Sequence, residues 1–127
     1  MGSTCPSTDR HLLVVEPESL LRWSLTTYFQ KWYTTHPAGS VDDAMDVLSR
    51  ERIDALILAG ELPDGDADRI ATQAKAGNPD VVMVETVADT TALRHRTPHM
   101  PCIEKPFKLA KLAALLGAAP RPSDARS

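Results

Sequence analysis

The sequence uses little cysteine and contains no long apolar run. Its two cysteines, Cys5 and Cys102, do not have the spacing of a metal-binding motif, and such sparse usage is typical of a reduced cytosolic setting. No stretch approaches the roughly 20 apolar residues that a membrane-spanning helix needs, and no signal-peptide pattern opens the chain. We therefore expect a cytoplasmic protein that makes no contact with a membrane.

Basic residues are not in excess, and a phosphate-binding loop is absent. The formal net charge is −3, which gives no electrostatic footprint for nucleic acid. Gly39, Gly60 and Gly65 stand apart and do not form a Gly-rich loop of the kind that holds nucleotide phosphates. No His, Cys and acid triplet has catalytic spacing. We therefore expect a non-enzymatic protein without a nucleotide cofactor.

The length and composition predict one globular domain with short extensions. The chain has 127 residues, of which 43% are hydrophobic and 24% are charged, as in ordinary soluble domains. Residues 1–10 are rich in Ser, Thr, Pro and Gly, which predicts a disordered leader. Residues 11–117 predict the folded domain, and the Pro-containing residues 118–127 predict a tail or an interdomain linker.

Within the domain, five short apolar segments alternate with five segments that predict helices. This alternation indicates an α/β fold, namely a doubly wound five-stranded parallel sheet with helices on both faces. The strong and weak strands favour the order 2-1-3-4-5. The predicted strands are His11–Val15, Tyr33–Pro37, a central run from Ile53 to Ala59, Val81–Val84 and Met100–Glu104. The predicted helices follow N-caps at Glu18 or Ser19 and at Ser40, and then cover Asp66–Ala76, Ala88–Arg96 and Leu109–Leu116.

The end of the central strand is the position on which a functional interpretation depends. The predicted order brings the carboxyl ends of strands 1, 3, 4 and 5 to one crevice, where open α/β sheets place their chemistry. The residue at the end of the central strand is Ala59, and a methyl group has no lone pair to offer. We expect that Ala59 is neither a nucleophile nor a ligand.

From Leu12 to Leu116 the chain resembles the receiver domain of two-component response regulators, a flavodoxin-like (βα)5 fold. The resemblance rests on Leu13-Val14-Val15 before an acidic turn, on Leu62-Pro63-Asp64-Gly65 after the central strand, and on Glu104-Lys105-Pro106-Phe107. Leu20-Leu21-Arg22-Trp23-Ser24-Leu25 further resembles receivers of nitrogen-regulation-type transcription activators. The resemblance implies a role in phosphorelay signal transduction and transcription regulation.

The resemblance also implies a phosphoacceptor and a magnesium site, and this sequence departs from both. The family's nucleophilic aspartate ends strand 3, where this chain has Ala59. The family's two acids after strand 1 correspond to Glu16 and Pro17, and proline has no ligand to give. Mg²⁺ demands near-octahedral oxygen coordination. We therefore expect no phosphorylation at Ala59 and no metal or other cofactor.

Three further positions have roles in the family. The lysine that neutralises phosphate is retained as Lys105, and the family's aromatic switch residue is replaced by Cys102. The hydroxyl residue after strand 4 aligns with Glu85, or with Thr86 if the gap is moved by one, and we favour Glu85. Four of the five roles are altered, which is typical of a degenerate receiver, or pseudo-receiver.

The acids near the crevice leave two alternatives open. Lys105 is expected to form a structural ion pair with Glu16 or Glu18, the remnants of the acidic pocket. Glu18 or Glu61 could instead serve as a substitute acid in a receiver that is still phosphorylated. A small flavodoxin-like ligand-binding protein is a third interpretation, because a fold alone does not fix function.

The resemblance also implies an interaction surface. Family members bind targets or dimerise through helix 4, strand 5 and helix 5, and here that surface would include Leu93, Arg96, Lys108 and Lys111. We expect a protein partner, such as a histidine kinase or an output domain, or a second copy of the chain. Nucleic acid is not expected to bind this domain.

Overall fold

The computed structural model describes residues 10–60, 62, 64–87 and 101–117. Five strands and four helices lie in these residues, and they are numbered here in chain order. The strands are β1 (His11–Val15), β2 (Thr34–Ala38), β3 (Ala55–Ala59), β4 (Val82–Val87) and β5 (Cys102–Glu104). The helices are α1 (Ser19–Phe29), α2 (Val41–Arg50), α3 (Asp64–Gly77) and α4 (Leu109–Leu116).

The strands form one parallel sheet in the order β2-β1-β3-β4-β5, which confirms the predicted fold class. All five residues of β3 are buried, as are the last four of β1. A central parallel strand is covered by helices on both faces, so nearly every side chain along it must be apolar. The runs Leu12–Val15 and Ala55–Ala59 meet this requirement.

Each face of the sheet carries its own apolar core. On one face, α2 and α3 pack on alternate residues of β1 and β3, with Ala44, Val47 and Ile70 contacting Leu13 and Leu56 in one cluster. On the other face, α1 and α4 supply Leu25, Phe29 and Leu112 to a cluster around Leu12, Ile57 and Ile103. The two cores hold the carboxyl ends of the strands in fixed positions.

The helix ends follow the predicted signals. Glu18 caps α1 and Ser40 caps α2, each by accepting hydrogen bonds from backbone N–H groups of the first turn. Gly117 ends α4 with a φ of 72°, a left-handed conformation that glycine adopts without steric cost. Within the described residues, no helix combines the length and the apolar character that crossing a bilayer requires.

Several boundaries differ from the sequence-based expectation. Strand β4 continues to Val87, three residues beyond the predicted end, because Glu85 and Thr86 remain inside the sheet ladder. Helix α3 begins at Asp64 rather than Asp66. The predicted fourth helix over Ala88–Arg96 lies outside the described residues, as do residues 1–9 and 118–127. Arg10, the last residue of the predicted leader, accepts a hydrogen bond from Thr34 N at 2.8 Å.

Gly60 allows the chain to leave β3 in close contact with β4. Its N–H donates to Thr86 O at 2.6 Å. A Cβ at this position would lie 2.8 Å from Thr86 O and 2.9 Å from Val87 Cγ1, closer than non-bonded atoms tolerate. Glycine is required here because of this close approach, since its φ is not positive.

We predict that Gly60→Ala destabilises the domain by about 2 kcal/mol, because the new methyl group must displace backbone of β4. Gly65→Ala is the matched control, since Gly65 is exposed in α3 and a Cβ there would have no atom within 4 Å. Alanine in a helix should leave stability unchanged or raise it by up to about 1 kcal/mol. Urea unfolding followed by circular dichroism measures both variants, and equal stabilities would contradict the prediction.

Candidate functional site

The candidate site is the crevice at the carboxyl ends of β1, β3, β4 and β5. Glu16 directly follows β1, Ala59 ends β3, Glu85 and Thr86 lie near the end of β4, and Lys105 directly follows β5. Because the strands are parallel, these positions meet at one edge of the sheet. The predicted site residues Glu16, Ala59 and Lys105 are therefore brought together.

Ala59 ends the central strand, so it lies in the middle of this row of strand ends, and it is completely buried. In the sheet register it pairs with Thr86 of β4, and the preceding Leu58 pairs with Val15, the residue before Glu16. The side chain between Glu16 and β4 is thus a methyl group. It provides no carboxylate where the resemblance would require one.

Glu16 and Lys105 form an ion pair across the crevice. Lys105 Nζ donates to Glu16 Oε1 at 3.3 Å, and the side chains are 20% and 3% exposed, respectively. A carboxylate this deeply buried costs several kcal/mol in lost hydration unless a cation and hydrogen bonds compensate it. The predicted structural ion pair of Lys105 is confirmed, and its partner is Glu16 rather than Glu18.

The rest of Glu16 is also fixed by hydrogen bonds. Its second carboxylate oxygen, Oε2, accepts from Glu18 N at 3.1 Å. Its backbone oxygen accepts from Arg22 Nη1 at 2.8 Å, and the same nitrogen donates to Pro17 O at 3.3 Å. Sequence reasoning missed this role of Arg22, because a side chain that binds backbone oxygens leaves no motif in the sequence. The loop between β1 and α1 is held in one conformation.

Glu18 points to the helix and caps it. Its carboxylate accepts hydrogen bonds from Leu21 N at 2.7 Å and from Leu20 N at 3.4 Å, and the side chain is exposed. A carboxylate at this position interacts favourably with the positive end of the α1 dipole. Moving it into the crevice would uncap the helix. Glu61, the other substitute acid, lies outside the described residues.

Glu85 and Thr86 are both buried inside β4, with exposures of 3% and 0%. Glu85 pairs with Leu58 and Thr86 with Ala59 in the register, so their side chains point to opposite faces of the sheet. Glu85 Oε2 lies 3.4 Å from the point where a Cβ on Gly60 would stand, at the loop that leaves β3. Thr86 Oγ1 has no hydrogen-bond partner in the described part of the chain. Which of the two occupies the family's hydroxyl position stays a prediction.

Cys102 begins β5 and is a half-buried free thiol that pairs with Glu85 in the register. It lies three residues before Lys105, at the position where the resemblance implies an aromatic switch residue. A cysteine side chain is much smaller than an aromatic ring, so it cannot swing between two packed positions in the way that a ring can. This position cannot act as an aromatic switch.

The donor set does not fit a magnesium ion of the kind that the fold family implies. Of the residues that directly follow β1 and end β3, only Glu16 carries a carboxylate, since the others are Pro17 and Ala59. Both oxygens of Glu16 already have partners, one of them the Lys105 ammonium group. Mg²⁺ requires near-ideal octahedral oxygen coordination. The crevice therefore does not offer the oxygen ligands of such a magnesium site.

Comparisons with solved structures find the same fold in receiver domains of response regulators. No protein-family model and no curated protein matches the chain, whereas many solved structures do. A response regulator receiver protein from Sinorhizobium medicae superposes with a TM-score of 0.70 at 21% identity, over 85% of this chain and 91% of that one. The non-phosphorylated HemR receiver domain from Leptospira biflexa gives 0.66 at 21% identity, over 89% and 98%.

A third solved structure with this fold contains a phosphorylated residue. It is a response regulator protein from Burkholderia pseudomallei with a phosphorylated aspartic acid, a calcium ion and citrate. It superposes with a TM-score of 0.68 at 13% identity, over 92% of this chain and 69% of that one. At these identities the comparisons establish the fold, and the resemblance seen in the sequence is confirmed at that level.

We predict that Lys105→Met lowers the free energy of unfolding by about 2–3 kcal/mol, because it leaves the Glu16 carboxylate buried without a cation. The double variant Glu16→Gln/Lys105→Met should recover most of this loss, since a neutral amide needs no counter-ion. Denaturant unfolding of Lys105→Met, Glu16→Gln and the double variant gives the coupling energy between the two positions.

Lys108→Met is the matched control, because Lys108 is exposed and should contribute no more than about 0.5 kcal/mol. A Lys105→Met protein as stable as the wild type would contradict the structural role of the pair. A double variant that is no more stable than Lys105→Met would also contradict the structural role of the pair.

Proposed function

We propose that this chain is a receiver-type signalling module that is not switched by aspartyl phosphorylation and that acts by binding a protein partner. In this proposal it is a pseudo-receiver: it keeps the fold and interaction surface of response-regulator receivers and does no chemistry of its own. Its regulation comes from binding or from its output partner rather than from transfer of a phosphoryl group.

The proposal rests on one observation, namely which side chains lie in the crevice. A buried methyl group, that of Ala59, stands at the end of β3, and the neighbouring Lys105 is already paired with Glu16. Phosphoryl transfer to a protein needs a nucleophile and cations that stabilise the phosphoryl oxygens. The nucleophile is missing at Ala59, and the cation, Lys105, is engaged in the ion pair with Glu16.

The charges around Ala59 further disfavour a bound phosphoryl group. Two buried acids, Glu16 and Glu85, flank the end of β3, from β1 and from β4. Anionic oxygens placed beside the Glu16 carboxylate would face repulsion that the Lys105 ammonium group offsets only in part. The Burkholderia pseudomallei protein carries its phosphoryl group on an aspartic acid together with a calcium ion, and this crevice lacks the ligands to do the same.

Strand β5 and helix α4, which are the predicted fifth strand and fifth helix, form a surface that supports binding to a partner. A depression of about 430 Å³ lies there, lined by Ile103, Glu104, Pro106, Phe107, Lys108 and Lys111. Lys108 and Lys111 are exposed, and Leu115 on α4 is 39% exposed. Cations around an apolar patch suit a partner with an acidic rim. Leu93 and Arg96, which the resemblance also assigns to this surface, lie outside the described residues.

We predict that the protein gains no mass after incubation with acetyl phosphate and Mg²⁺. Intact-mass spectrometry would detect a phosphoryl group as a gain of about 80 Da. The expected spectrum is unchanged, because Ala59 has no lone pair and Glu16 is paired. A stable gain that maps to Glu18 or Glu61 would overturn the proposal and show a receiver that uses a substitute acid.

Two variants serve as controls for this measurement. Ala59→Asp supplies a nucleophile, but it places a carboxylate beside Glu16 without restoring the ligand lost at Pro17. Two like charges about 4 Å apart repel by about 4 kcal/mol at an effective dielectric constant near 20. We expect this variant to remain unlabelled and Ala59→Asp/Pro17→Asp to gain partial labelling with added Mg²⁺. Efficient labelling of the single variant would show that Pro17 has no part in the loss.

We predict that Lys108→Glu/Lys111→Glu weakens self-association, or binding to the cognate kinase or output domain, by at least about tenfold, because it reverses the charge of the proposed surface. Arg69→Glu/Lys75→Glu on α3 is the matched control, since it changes the net charge equally on another exposed helix. Sedimentation velocity and binding titrations measure both. Equal effects of the two double variants would show that the surface is wrongly placed.

A further inference from the structure

Three side chains with metal-binding groups converge at the β2 edge of the sheet. They are His11 at the start of β1, His36 in β2 and Glu51 at the carboxyl end of α2. One ligand atom of each lies within 4.8 Å of the ligand atoms of the other two. The three residues are far apart in the sequence, so only the fold brings them together.

The sheet register explains the convergence. His36 pairs with Leu13, and His11 precedes Leu13 by two residues, so both rings point to the same face of the sheet. This is the face that α2 covers, where Val47 packs in one cluster with Leu13. Glu51 follows the last turn of α2, and its N–H donates to Val47 O at 2.8 Å. The end of the helix therefore places a carboxylate beside the two imidazoles.

Two of the three ligand-to-ligand distances are close to those of a tetrahedral metal site, and the third is at most 4.8 Å. His11 Nδ1 lies 2.9 Å from His36 Nε2 and 3.8 Å from Glu51 Oε1. Two ligands at about 2.0–2.1 Å from a tetrahedral Zn²⁺ ion are themselves about 3.3–3.4 Å apart. Metal binding would lengthen the distance between the His11 and His36 nitrogens and shorten the distance from His11 to Glu51, each by about half an ångström. Side-chain rotations of half-exposed residues supply such movements.

The two rings share a proton that a metal ion would replace. The planes of the two rings are inclined by 17°, and the ring centroids are 5.1 Å apart. This separation is about equal to the 2.9 Å between the two nitrogens plus one ring radius for each ring. The nitrogens thus meet edge to edge, and one must donate while the other accepts. An ion bound to both lone pairs requires the rings to tilt so that these lone pairs converge.

The surrounding structure holds the ligands in place and leaves them accessible. His11 N donates to Asp54 Oδ2 at 2.8 Å, and Asp54 N donates to His11 O at 2.8 Å, which anchors the start of β1. The His11 and Glu51 side chains are 26% and 34% exposed, so an ion can reach them from solvent. The nearby Arg50 is paired with Asp46 at 3.1 Å, which offsets its positive charge.

We propose that His11, His36 and Glu51 form a binding site for a divalent transition-metal ion of the zinc class. Two imidazole nitrogens and one carboxylate suit Zn²⁺, Co²⁺, Ni²⁺ or Cu²⁺, whereas Mg²⁺ and Ca²⁺ prefer oxygen ligands alone. Three protein ligands leave one tetrahedral position for water. A bound ion would tie the edge strand β2 to β1 and to α2.

This inference does not rest on the proposed function. His11 and Glu16 are the two ends of the same strand segment, five residues or about 16 Å apart, so the metal site and the crevice are separate. Loss of one would leave the other intact.

The test is a titration of the full chain with Zn²⁺ alone, after treatment with a chelator and in the presence of a reductant. Calorimetry should show one ion bound per chain, and the thermal midpoint should rise with Zn²⁺, because an ion bound only by the folded state stabilises it. Binding should weaken by at least about tenfold in His36→Gln and, separately, in Glu51→Gln. Co²⁺ should give the intense visible absorption of a four-coordinate complex in the wild type but not in His36→Gln or Glu51→Gln.

His95→Gln and Glu104→Gln are the matched controls, because they make the same chemical changes elsewhere in the chain. Both should bind Zn²⁺ as the wild type does, and circular dichroism without metal checks that every variant is folded. Absence of saturable binding by the wild type would overturn the proposal. Equal affinity in His36→Gln, Glu51→Gln and the wild type would also overturn it, since the ion would then be held by other groups.

Discussion

The ion pair between Glu16 and Lys105 determines how the crevice can be used. A carboxylate that is 3% exposed must be compensated, and the ammonium group that compensates it comes from a residue 89 positions further along the chain. The pair connects the end of β1 to the end of β5 at the end of the sheet where Ala59 is buried. A lysine held in this way neutralises Glu16 and joins two ends of the sheet.

The pair depends in turn on the sheet that positions it. Buried runs in β1 and β3 fix the two central strands, and Gly60 lets the chain pass within contact distance of β4. Arg22 and Glu18 then hold the loop that carries Glu16, through hydrogen bonds to its backbone oxygen and from a backbone N–H. The acidic remnants of the crevice are thus structural parts of the β1–α1 connection. Glu16 therefore has a structural role that does not depend on phosphoryl transfer.

Most of the fold could be predicted from sequence because its signals are local. Strand β1 and helix α4 have the predicted bounds, since apolar runs there stop at proline, glycine or acidic residues. The end of β4 was misplaced because Glu85 and Thr86 are polar, and only their burial in the sheet shows that the strand continues. The backbone contacts of Arg22 and the group of His11, His36 and Glu51 depend on strand register, which no single segment specifies.

A crevice that cannot accept a phosphoryl group should also fail to bind a phosphoryl analogue. The full chain, labelled with nitrogen-15, would be titrated with beryllofluoride in the presence of Mg²⁺ while the amide resonances of Gly60, Thr86 and Lys105 are followed. These residues surround Ala59, so any ligand bound at the crevice must shift them. We predict that none of the three resonances moves. Saturable shifts at these amides would contradict the account.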